Sequence, residues 1–462
     1  MSEASPAYLS HHQILPIVRG VALCILLAAV DQTIVVPAVP RMAVALHASR
    51  HLPWLVTAYL LTGTAATPLF GKLSDIYGRC RLMQLAVILF VLASLGCALA
   101  TNLPEMAVLR GIQGVGGAGL MALSQISMAD VIPPRERGRY QIYMSGMWGL
   151  ASLGAPALGG LLTDMLSWRA IFWINLPLGV IAYAASSRAL APLSRPGGDG
   201  SAGRTRIDYA GALLLMLVIT ALLLLISGGG RDFAWLSATA AVLGGVAILG
   251  LALAIRQERN APSPVLPPRI FGNGIVSGGM LLSFCNSLCI FGATLLLPLY
   301  FQYSRHSSAG FSGLCVTPFM LSFVLFSYAG GQISRMIGQT KPTILMGLSA
   351  CLLGLVLLAT VGAATPLALA MLYMIVTGAG IGLVQPNITV AIQNAAARAD
   401  VAVATGCMLL FRSIGGASGA TLAGTVMLAY GFRAAFIACG ICALVAIAVA
   451  GRMRDQTLRS AA

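Results

Sequence analysis

The sequence predicts an all-α, polytopic membrane protein with 14 transmembrane helices, arranged as two pseudo-symmetric six-helix bundles plus an inserted helix pair. Hydrophobic residues make up 58% of the 462 residues and charged residues only 9%, whereas a soluble domain carries about 25% charged residues. Fourteen apolar segments are long enough to cross a bilayer, and the first six resemble the last six.

The fourteen segments follow from the length of about 20 apolar residues that a helix needs to span the hydrocarbon core. They lie at 17–40, 53–71, 82–101, 104–130, 139–163, 168–187, 209–227, 235–255, 273–302, 309–331, 342–362, 365–390, 401–428 and 433–451. Because the number is even, both termini are expected on the same side of the membrane.

The distribution of basic residues predicts which side that is. With a cytoplasmic N-terminus, 20 of the 28 Lys and Arg residues lie in inside loops and tails, 6 lie in outside loops, and Arg110 and Arg412 lie within the membrane. This bias predicts a multi-pass protein of the cell (inner) membrane with both termini cytoplasmic. It also accounts for most of the net charge of +15 without nucleic acid as a partner.

The predicted order of segments follows from these helices and loops. It is a cytoplasmic N-terminal tail (1–16), an N-terminal six-helix bundle (17–192), a cytoplasmic linker (193–208), an inserted helix pair (209–255), a second cytoplasmic linker (256–272), a C-terminal six-helix bundle (273–452) and a cytoplasmic C-terminal tail (453–462). The Gly- and Arg-rich linker 193–208 is typical of a flexible connection. The inserted pair has almost no polar side chains between its ends, so we expect it to face lipid.

The first sixteen residues lack the pattern of a cleavable signal peptide.

An internal repeat explains the two bundles. Four short stretches recur in the same order at offsets of 260 to 264: GKLSDIYG at Gly71 with GQISRMIG at Gly331, GGAGLM at Gly116 with GAGIGL at Gly378, WRAIF at Trp168 with FRAAF at Phe432, and TIVVP at Thr33 with TLLLP at Thr294. Six crossings return the chain to its starting side, so the two copies are parallel. Parallel six-helix halves with a site between them are typical of an alternating-access transporter. The alternative is chance similarity in a chain rich in Gly and Ala.

Metal and cofactor chemistry is not indicated. The ten Cys residues occur singly and mostly in apolar segments, so we interpret them as small apolar residues. No metal site and no cofactor is predicted. The sequence has no GxxxxGK[ST] phosphate loop, which argues against ATP as the driving force.

Several motifs together resemble one family. GKLSDIYGRCR (71–81) is similar to the pattern GxLaDrxGrr between helices 2 and 3, LRGIQGVGGAG (109–119) to the helix 4 pattern RxxQGxGaa, VDQTIVVPAVP (30–40) to the helix 1 pattern lDxTivnvAlP, and GAPALGGLL (154–162) to the helix 5 pattern GPxxGG. Ala155 stands where the last pattern has Gly. The chain therefore resembles the major facilitator superfamily, specifically its fourteen-helix drug:proton antiporter branch, over nearly its whole length.

Asp31 places a carboxylate in an apolar segment, where a charge at the bilayer centre costs about 2.5–3.5 kcal/mol on insertion scales. Arg110 lies at a similar depth, and the resemblance implies that helices 1 and 4 both face a central cavity. Burial raises the pKa of a carboxyl and a nearby Arg lowers it, so we predict that Asp31 and Arg110 couple transport to a proton. The alternative is a structural ion pair, or a cap for a kink near Pro37. The corresponding position in the second half is Gly292, so only one half carries the acid.

The segment 71–81 is predicted to form a gate at the cytoplasmic mouth. Gly71 and Gly78 allow close approach of helix ends. Asp75, Arg79 and Arg81 can form ion pairs that hold one conformation and break in another. The plain alternative is a tight, positively charged loop.

Helix 5 carries the residues of the antiporter motif, which are Gly149, Gly154, Pro156, Gly159 and Gly160. Small residues permit close helix contact, and proline permits a kink. We interpret this run as a sliding interface between helices, although glycine is common in membrane helices in any case.

Candidate contacts to the substrate are the polar and aromatic side chains within the apolar segments, namely Gln32, Gln113, Gln125, Trp148, Asn286, Gln385 and Asn387. Arg412 is a second-half membrane charge. It is a candidate for an anionic part of the substrate or a water network, with helix packing as the alternative.

These observations predict a secondary active transporter, not an enzyme, that exports lipophilic or cationic drugs and toxic compounds in exchange for protons by alternating access. Its expected partners are a small-molecule substrate, protons and the lipid bilayer, and it is expected to function as a monomer. One alternative is a dedicated proton-coupled exporter of a single metabolite, siderophore or antibiotic. Another is a membrane-embedded enzyme or receptor, which is disfavoured because the five His residues all lie in loops or the tail.

Overall fold

The computed structural model describes residues 11–46, 54–191, 208–230, 233–261, 268–306, 309–362, 364–397, 400–455 and 457. These residues fold almost entirely as helices. The α-helices are α1 (His11–Ile34), α2 (Val39–Ala45), α3 (Trp54–Tyr77), α4 (Arg79–Leu99), α5 (Leu103–Val131), α6 (Pro134–Met165), α7 (Ala170–Trp173), α8 (Asn175–Leu190), α9 (Tyr209–Gly228), α10 (Ala238–Asn260), α11 (Gly274–Arg305), α12 (Ala309–Ile337), α13 (Lys341–Leu358), α14 (Leu367–Ala395) and α15 (Val401–Arg452). Short 3₁₀ helices cover Val36–Ala38 and Pro268–Gly272.

Each of the fourteen predicted segments overlaps helix in the structure. Among the described residues, ten helical segments are long and apolar enough to cross a membrane. The chain is thus an all-helical, multi-pass membrane protein, and the count of fourteen crossings stays a prediction.

One segment boundary differs from the prediction, and one predicted break between segments is present as a kink. The segment expected at 17–40 ends as α1 at Ile34, because Pro37 has no amide hydrogen and its ring clashes with the carbonyl four residues earlier. The break predicted between 428 and 433 is present, because α15 consists of two helices that meet at Gly431. Gly431 interrupts its helical backbone with a φ of +83°, a conformation that suits glycine.

Contacts divide the chain into two compact units. The first comprises Met1–Ile132, Gly146–Ala221 and Val246–Pro267, and the second comprises Pro133–Ser145, Leu222–Gly245 and Pro268–Ala462. The first turns of α6 and the adjoining ends of α9 and α10 therefore group with the second unit. The domain boundaries drawn from the sequence do not make this division and stay predictions.

The helix packing repeats from one unit to the other. In the first unit, α5 packs against α1, α3 and α4, and α1 packs against α8. In the second unit, α14 packs against α11, α12 and α13, and α11 packs against α15. The equivalent helices thus make equivalent pairs, which supports the internal repeat read from the sequence.

Glycines in α5 and α14 fix the register of this repeat. A Cβ on Gly114 would collide with the carbonyl oxygen of Tyr59 in α3, and one on Gly378 would collide with the carbonyl oxygen of Phe319 in α12. Gly114 is therefore the counterpart of Gly378, at an offset of 264. The predicted pairing of Gly116 with Gly378 is wrong by two positions, because a pattern of glycines and alanines aligns almost as well when it is shifted.

The inserted pair α9 and α10 presents large apolar side chains on its surface. Leu213, Ile248 and Leu249 are each 68–71% exposed. In a membrane protein such side chains suit contact with lipid tails, as expected for the inserted pair.

Candidate functional site

The first unit contains a buried charge cluster, which we define as Asp31, Ser94, Arg110, Gln113 and Asn175. All five side chains are at most 1% exposed. They come from four helices, because Asp31 lies on α1, Ser94 on α4, Arg110 and Gln113 on α5, and Asn175 at the start of α8. The structure thus brings the two residues predicted for proton coupling together with three more polar groups.

Asp31 is the centre of the buried charge cluster. Its Oδ2 accepts a hydrogen bond from Arg110 Nη1 at 2.7 Å. Its Oδ1 accepts from Gln113 Nε2 at 2.9 Å and from Asn175 Nδ2 at 2.7 Å. Three donors therefore compensate a carboxylate that has been removed from water, as burial of a charge requires.

The remaining contacts hold these donors in place. Arg110 Nη1 also donates to Gln113 Oε1 at 2.8 Å, which is possible because residues three apart share one helix face. The Arg110 guanidinium carbon lies 4.5 Å from the ring centre of Tyr59, a cation–π distance. Asn175 Nδ2 donates a second hydrogen bond to Ser94 Oγ at 3.0 Å, and Ser94 Oγ donates to the carbonyl of Phe172 at 3.0 Å.

The local sequence explains why these side chains can meet. α5 carries Gly111, Gly114 and Gly116 on its contact faces, and each lies against α3 or α4 at distances that leave little room for a side chain. The close approach of α5 brings Arg110 and Gln113 to α1. Asn102 caps the start of α5 by accepting a hydrogen bond from the backbone of Glu105 at 2.9 Å.

Ser94, Asn175 and Tyr59 are members or neighbours of this site that the sequence analysis missed. Asn175 had a detectable signal, because an amide in the apolar stretch FWINLPLG (172–179) needs a hydrogen-bond partner when it is buried. Ser94 had none, since a serine in a helix can bond its own backbone.

Among the described residues, the counterparts of this cluster in the second unit do not form an equivalent one. The corrected register pairs Arg110 with Met374 and Asn175 with Cys439. Gly292, the counterpart of Asp31, packs on Cys439, whose sulfur would lie 2.8 Å from an added Cβ. Among these counterparts, apolar packing has replaced the ionic contacts.

The segment 71–81 forms a second group of ion pairs. Arg79 donates to Asp75 Oδ1 at 2.7 Å, to Asp130 Oδ2 at 2.9 Å and to Ser74 Oγ at 2.6 Å. Asp130, at the end of α5, was not predicted as a member. Gly78 has a φ of +84° and Gly338, its counterpart, a φ of +77°, so both turns need the conformational freedom of glycine.

The other predicted members of the gate contribute differently. Gly71 is buried, whereas Arg81 is exposed and forms no ion pair with a described residue. Burial raises the pKa of the Asp75 carboxyl, although Arg79 acts in the opposite direction. Because its pKa is raised, the Asp75 carboxyl becomes protonated at a higher pH than it would without burial. On acidification the Asp75–Arg79 ion pair is therefore lost at that higher pH.

The second unit keeps an ion pair of its own near the counterpart segment. Arg335 Nε donates to Glu136 Oε1 at 2.7 Å. Both residues belong to the second unit, because the first turns of α6 group with it. This pair was not predicted from the sequence.

The antiporter motif of α6 divides into crowded and open positions. A Cβ on Gly159 would collide with the carbonyl oxygen of Ile34, whereas one on Gly154 or Gly160 would meet no atom of a described residue within 4 Å. Gly149 is buried, and Pro156 lies inside α6. A sliding interface along the whole motif stays a prediction.

The predicted substrate contacts separate into several groups. Gln113 belongs to the buried charge cluster, and Asn286 Nδ2 donates to Gln385 Oε1 at 2.8 Å within the second unit. Asn387 donates to the carbonyl of its own helix at Leu383, and Gln125 is 7% exposed. Gln32, Trp148 and Arg412 are partly exposed. Arg412 has no ion pair with a described residue, and contact of any of these residues with a substrate stays a prediction.

Comparison with known proteins identifies the class of the protein. The profile of the Major Facilitator Superfamily matches residues 21–420 and matches again at 279–461. Multidrug transporter protein MdtP of Bacillus subtilis (strain 168) is 35% identical over 411 residues, which are 89% of this chain and 75% of that protein. Multidrug resistance protein fnx1 of Schizosaccharomyces pombe (strain 972 / ATCC 24843) is 32% identical over 407 residues, which are 87% of this chain and 76% of that protein.

A solved structure supports the fold. The crystal structure of the human organic anion transporter MFSD10 (TETRAN) matches with a TM-score of 0.67, covering 94% of this chain and 99% of that chain. The two sequences are 15% identical, so this likeness concerns the fold alone. Fold and sequence together define a multi-pass membrane transporter. The chain belongs to the Major Facilitator Superfamily.

Proposed function

We propose that this transporter exports lipophilic or cationic drugs and toxic compounds in exchange for protons, as an antiporter of the fourteen-helix drug:proton branch. Relatives that are 32–35% identical carry the names multidrug transporter and multidrug resistance protein, which supports drug efflux. We place the protein in the cell (inner) membrane with both termini cytoplasmic, on the bias of basic residues toward one set of loops.

The observation that carries the proton coupling is the buried charge cluster. Asp31 is a fully buried carboxylate in an apolar helix, and intramembrane acids commonly mark proton relays. The acid occurs in one half only, since its counterpart is Gly292, and this asymmetry suits a single coupling site. In the proposed cycle, Asp31 binds a proton from outside, and the change of charge beside Arg110 drives release of the substrate to the same side.

The test is transport in proteoliposomes with an imposed pH gradient. Wild type is expected to accumulate or expel a fluorescent cationic dye according to the gradient, and the Asp31→Asn variant is expected to lose gradient-driven exchange. Asp164→Asn makes the same chemical change at an exposed site, 68% exposed beside Arg41, and is expected to behave like wild type. Full gradient-driven exchange by Asp31→Asn would contradict the proposal.

A further inference from the structure

The hydrogen bonds of the buried charge cluster suit only the ionised form of Asp31. Both oxygens accept, and all three partners donate: Arg110, Gln113 and Asn175. A protonated carboxyl carries an O–H that needs an acceptor of its own. An acid that changes its protonation state while buried therefore needs a neighbour that both donates and accepts.

The neighbouring acceptors are almost all engaged. A guanidinium has no acceptor atom, and Gln113 Oε1 already accepts from Arg110 and from the Cys97 thiol. Ser94 Oγ accepts from Asn175 and donates to Phe172. The exception is Asn175 Oδ1, which is buried and has no hydrogen-bond partner among the described residues.

The titratable and charged groups that face Asp31 are Tyr59 from α3, Cys97 from α4 and Arg110 from α5. Tyr59 turns its ring toward the guanidinium, and Cys97 donates to Gln113. The group that α8 contributes is the amide of Asn175, whose counterpart in the second unit is Cys439 beside Gly292. The amide is thus present in the half that has the acid.

We propose that Asn175 is a positioning residue that lets Asp31 change its protonation state without leaving its buried position. This inference rests on the proposed role of Asp31 as the proton carrier. When Asp31 is ionised, Asn175 Nδ2 donates to its Oδ1. When a proton binds at Oδ1, a half-turn of the amide about its Cβ–Cγ bond brings Asn175 Oδ1 to the same place. That oxygen then accepts from the new Asp31 O–H and from Ser94 Oγ–H, which leaves the carbonyl of Phe172. The two N–H groups of the amide turn to the position that Asn175 Oδ1 has left.

Infrared difference spectra between acidic and neutral pH test the proposal on purified protein with ¹³C-labelled Asn. Wild type is expected to show a protonated-carboxyl band, absent in Asp31→Asn, together with a shift of one Asn amide carbonyl band to lower wavenumber. The shift is expected because that carbonyl passes from no hydrogen bond to two. It should vanish in Asn175→Ser, which has no amide at this position.

Two spectral outcomes separate the possible failures. A carboxyl band without any movement of the Asn amide band would overturn the role of Asn175 while leaving Asp31 as the proton carrier. If no carboxyl band disappears in Asp31→Asn, the proposed proton coupling fails and the inference fails with it.

Exchange in proteoliposomes gives a second readout. Asn175→Ser keeps a group that donates and accepts, so it is expected to retain most of the exchange and its pH profile. Asn175→Leu has neither function and is expected to lose exchange about tenfold or more. Gln84→Leu removes another polar contact between α4 and α8, the 3.0 Å bond to Ser187, and is the matched control with unchanged exchange. If Asn175→Ser loses as much exchange as Asn175→Leu, the amide of Asn175 has a purely structural role. The same conclusion follows if Gln84→Leu loses as much exchange as Asn175→Leu.

Discussion

A guanidinium and a carboxylate that are both excluded from water depend on each other. Arg110 and Asp31 are 1% and 0% exposed and lie 2.7 Å apart. Removal of one partner leaves the other charge buried and uncompensated, which typically costs about 3–5 kcal/mol. Removal of both charges costs much less, because the desolvation penalty disappears together with the attraction.

A double-mutant cycle at this pair is the prediction at the residue scale. Arg110→Met is expected to lower the free energy of unfolding by about 3–5 kcal/mol, measured by detergent-induced unfolding in mixed micelles. Asp31→Asn combined with Arg110→Met is expected to recover most of that loss. Arg81→Gln, at an exposed residue without an ion pair to a described residue, is the control with little change.

Additive losses in the double variant would contradict a coupled pair. Such a result would mean that Gln113 and Asn175 stabilise the Asp31 carboxylate on their own, since both donate to its Oδ1.

The sequence revealed the charged residues of this site but not their polar neighbours. Asp31 and Arg110 stand out because a charge in an apolar segment is rare and costly. Gln113 was predicted as a substrate contact, yet its amide bonds Asp31 inside the cluster. The spacing within α5 determines which face of the helix carries Gln113. It does not determine whether that face contacts another helix or the substrate cavity, because that depends on how the helices pack.

At the scale of the helices, α5 and α14 are held by contacts that admit no side chain. Gly114 lies against the backbone of α3, and Gly378 lies against the backbone of α12. By contrast, Gly154 and Gly160 of α6 face open space. The glycines of this chain thus differ in their packing, although they look alike in the sequence.

Alanine substitution separates the two kinds of glycine. Gly114→Ala is expected to destabilise the protein by about 1–3 kcal/mol, because an added methyl group forces α5 away from α3. Gly154→Ala is the matched control and is expected to change stability little, or to raise it slightly through better helix propensity. Thermal unfolding in detergent measures both. If both variants change the stability equally, α5 can move away from α3 without destabilising the protein.

Helix positions were largely predictable, because long apolar runs specify membrane helices directly. The break at Gly431 falls in the gap predicted between 428 and 433. The end of α1 at Ile34 was predicted too late, at residue 40, although Pro37 marks it in the sequence.

At the scale of the whole molecule, two units with the same helix pairs carry different chemistry. The first unit holds the buried charge cluster, and its counterparts in the second unit include Gly292, Met374 and Cys439. The repeat was visible in the sequence, but its register in α5 and α14 was not, because only the glycine contacts with α3 and α12 determine it.

The proposed orientation of the molecule predicts where a protease can act. The predicted cytoplasmic linker 193–208 contains Arg195, Arg204 and Arg206, and its residues 193–207 lie outside the described residues. Trypsin is expected to divide the chain there into two large fragments in inside-out vesicles and not in right-side-out vesicles, as gel electrophoresis would show. A variant with Gln at the three Arg positions controls for cleavage elsewhere. Cleavage from the right-side-out face would reverse the proposed topology.

The ion pair of the buried charge cluster also sets an order of events during synthesis. Asp31 emerges from the ribosome 79 residues before Arg110, an interval of about 4–16 seconds at 5–20 residues per second. During this interval the first helix carries an acid whose partner has not yet been made. The charge of Asp31 is therefore compensated only after α5 has been made, so early release of the nascent chain from the insertion machinery would endanger the first unit more than the second.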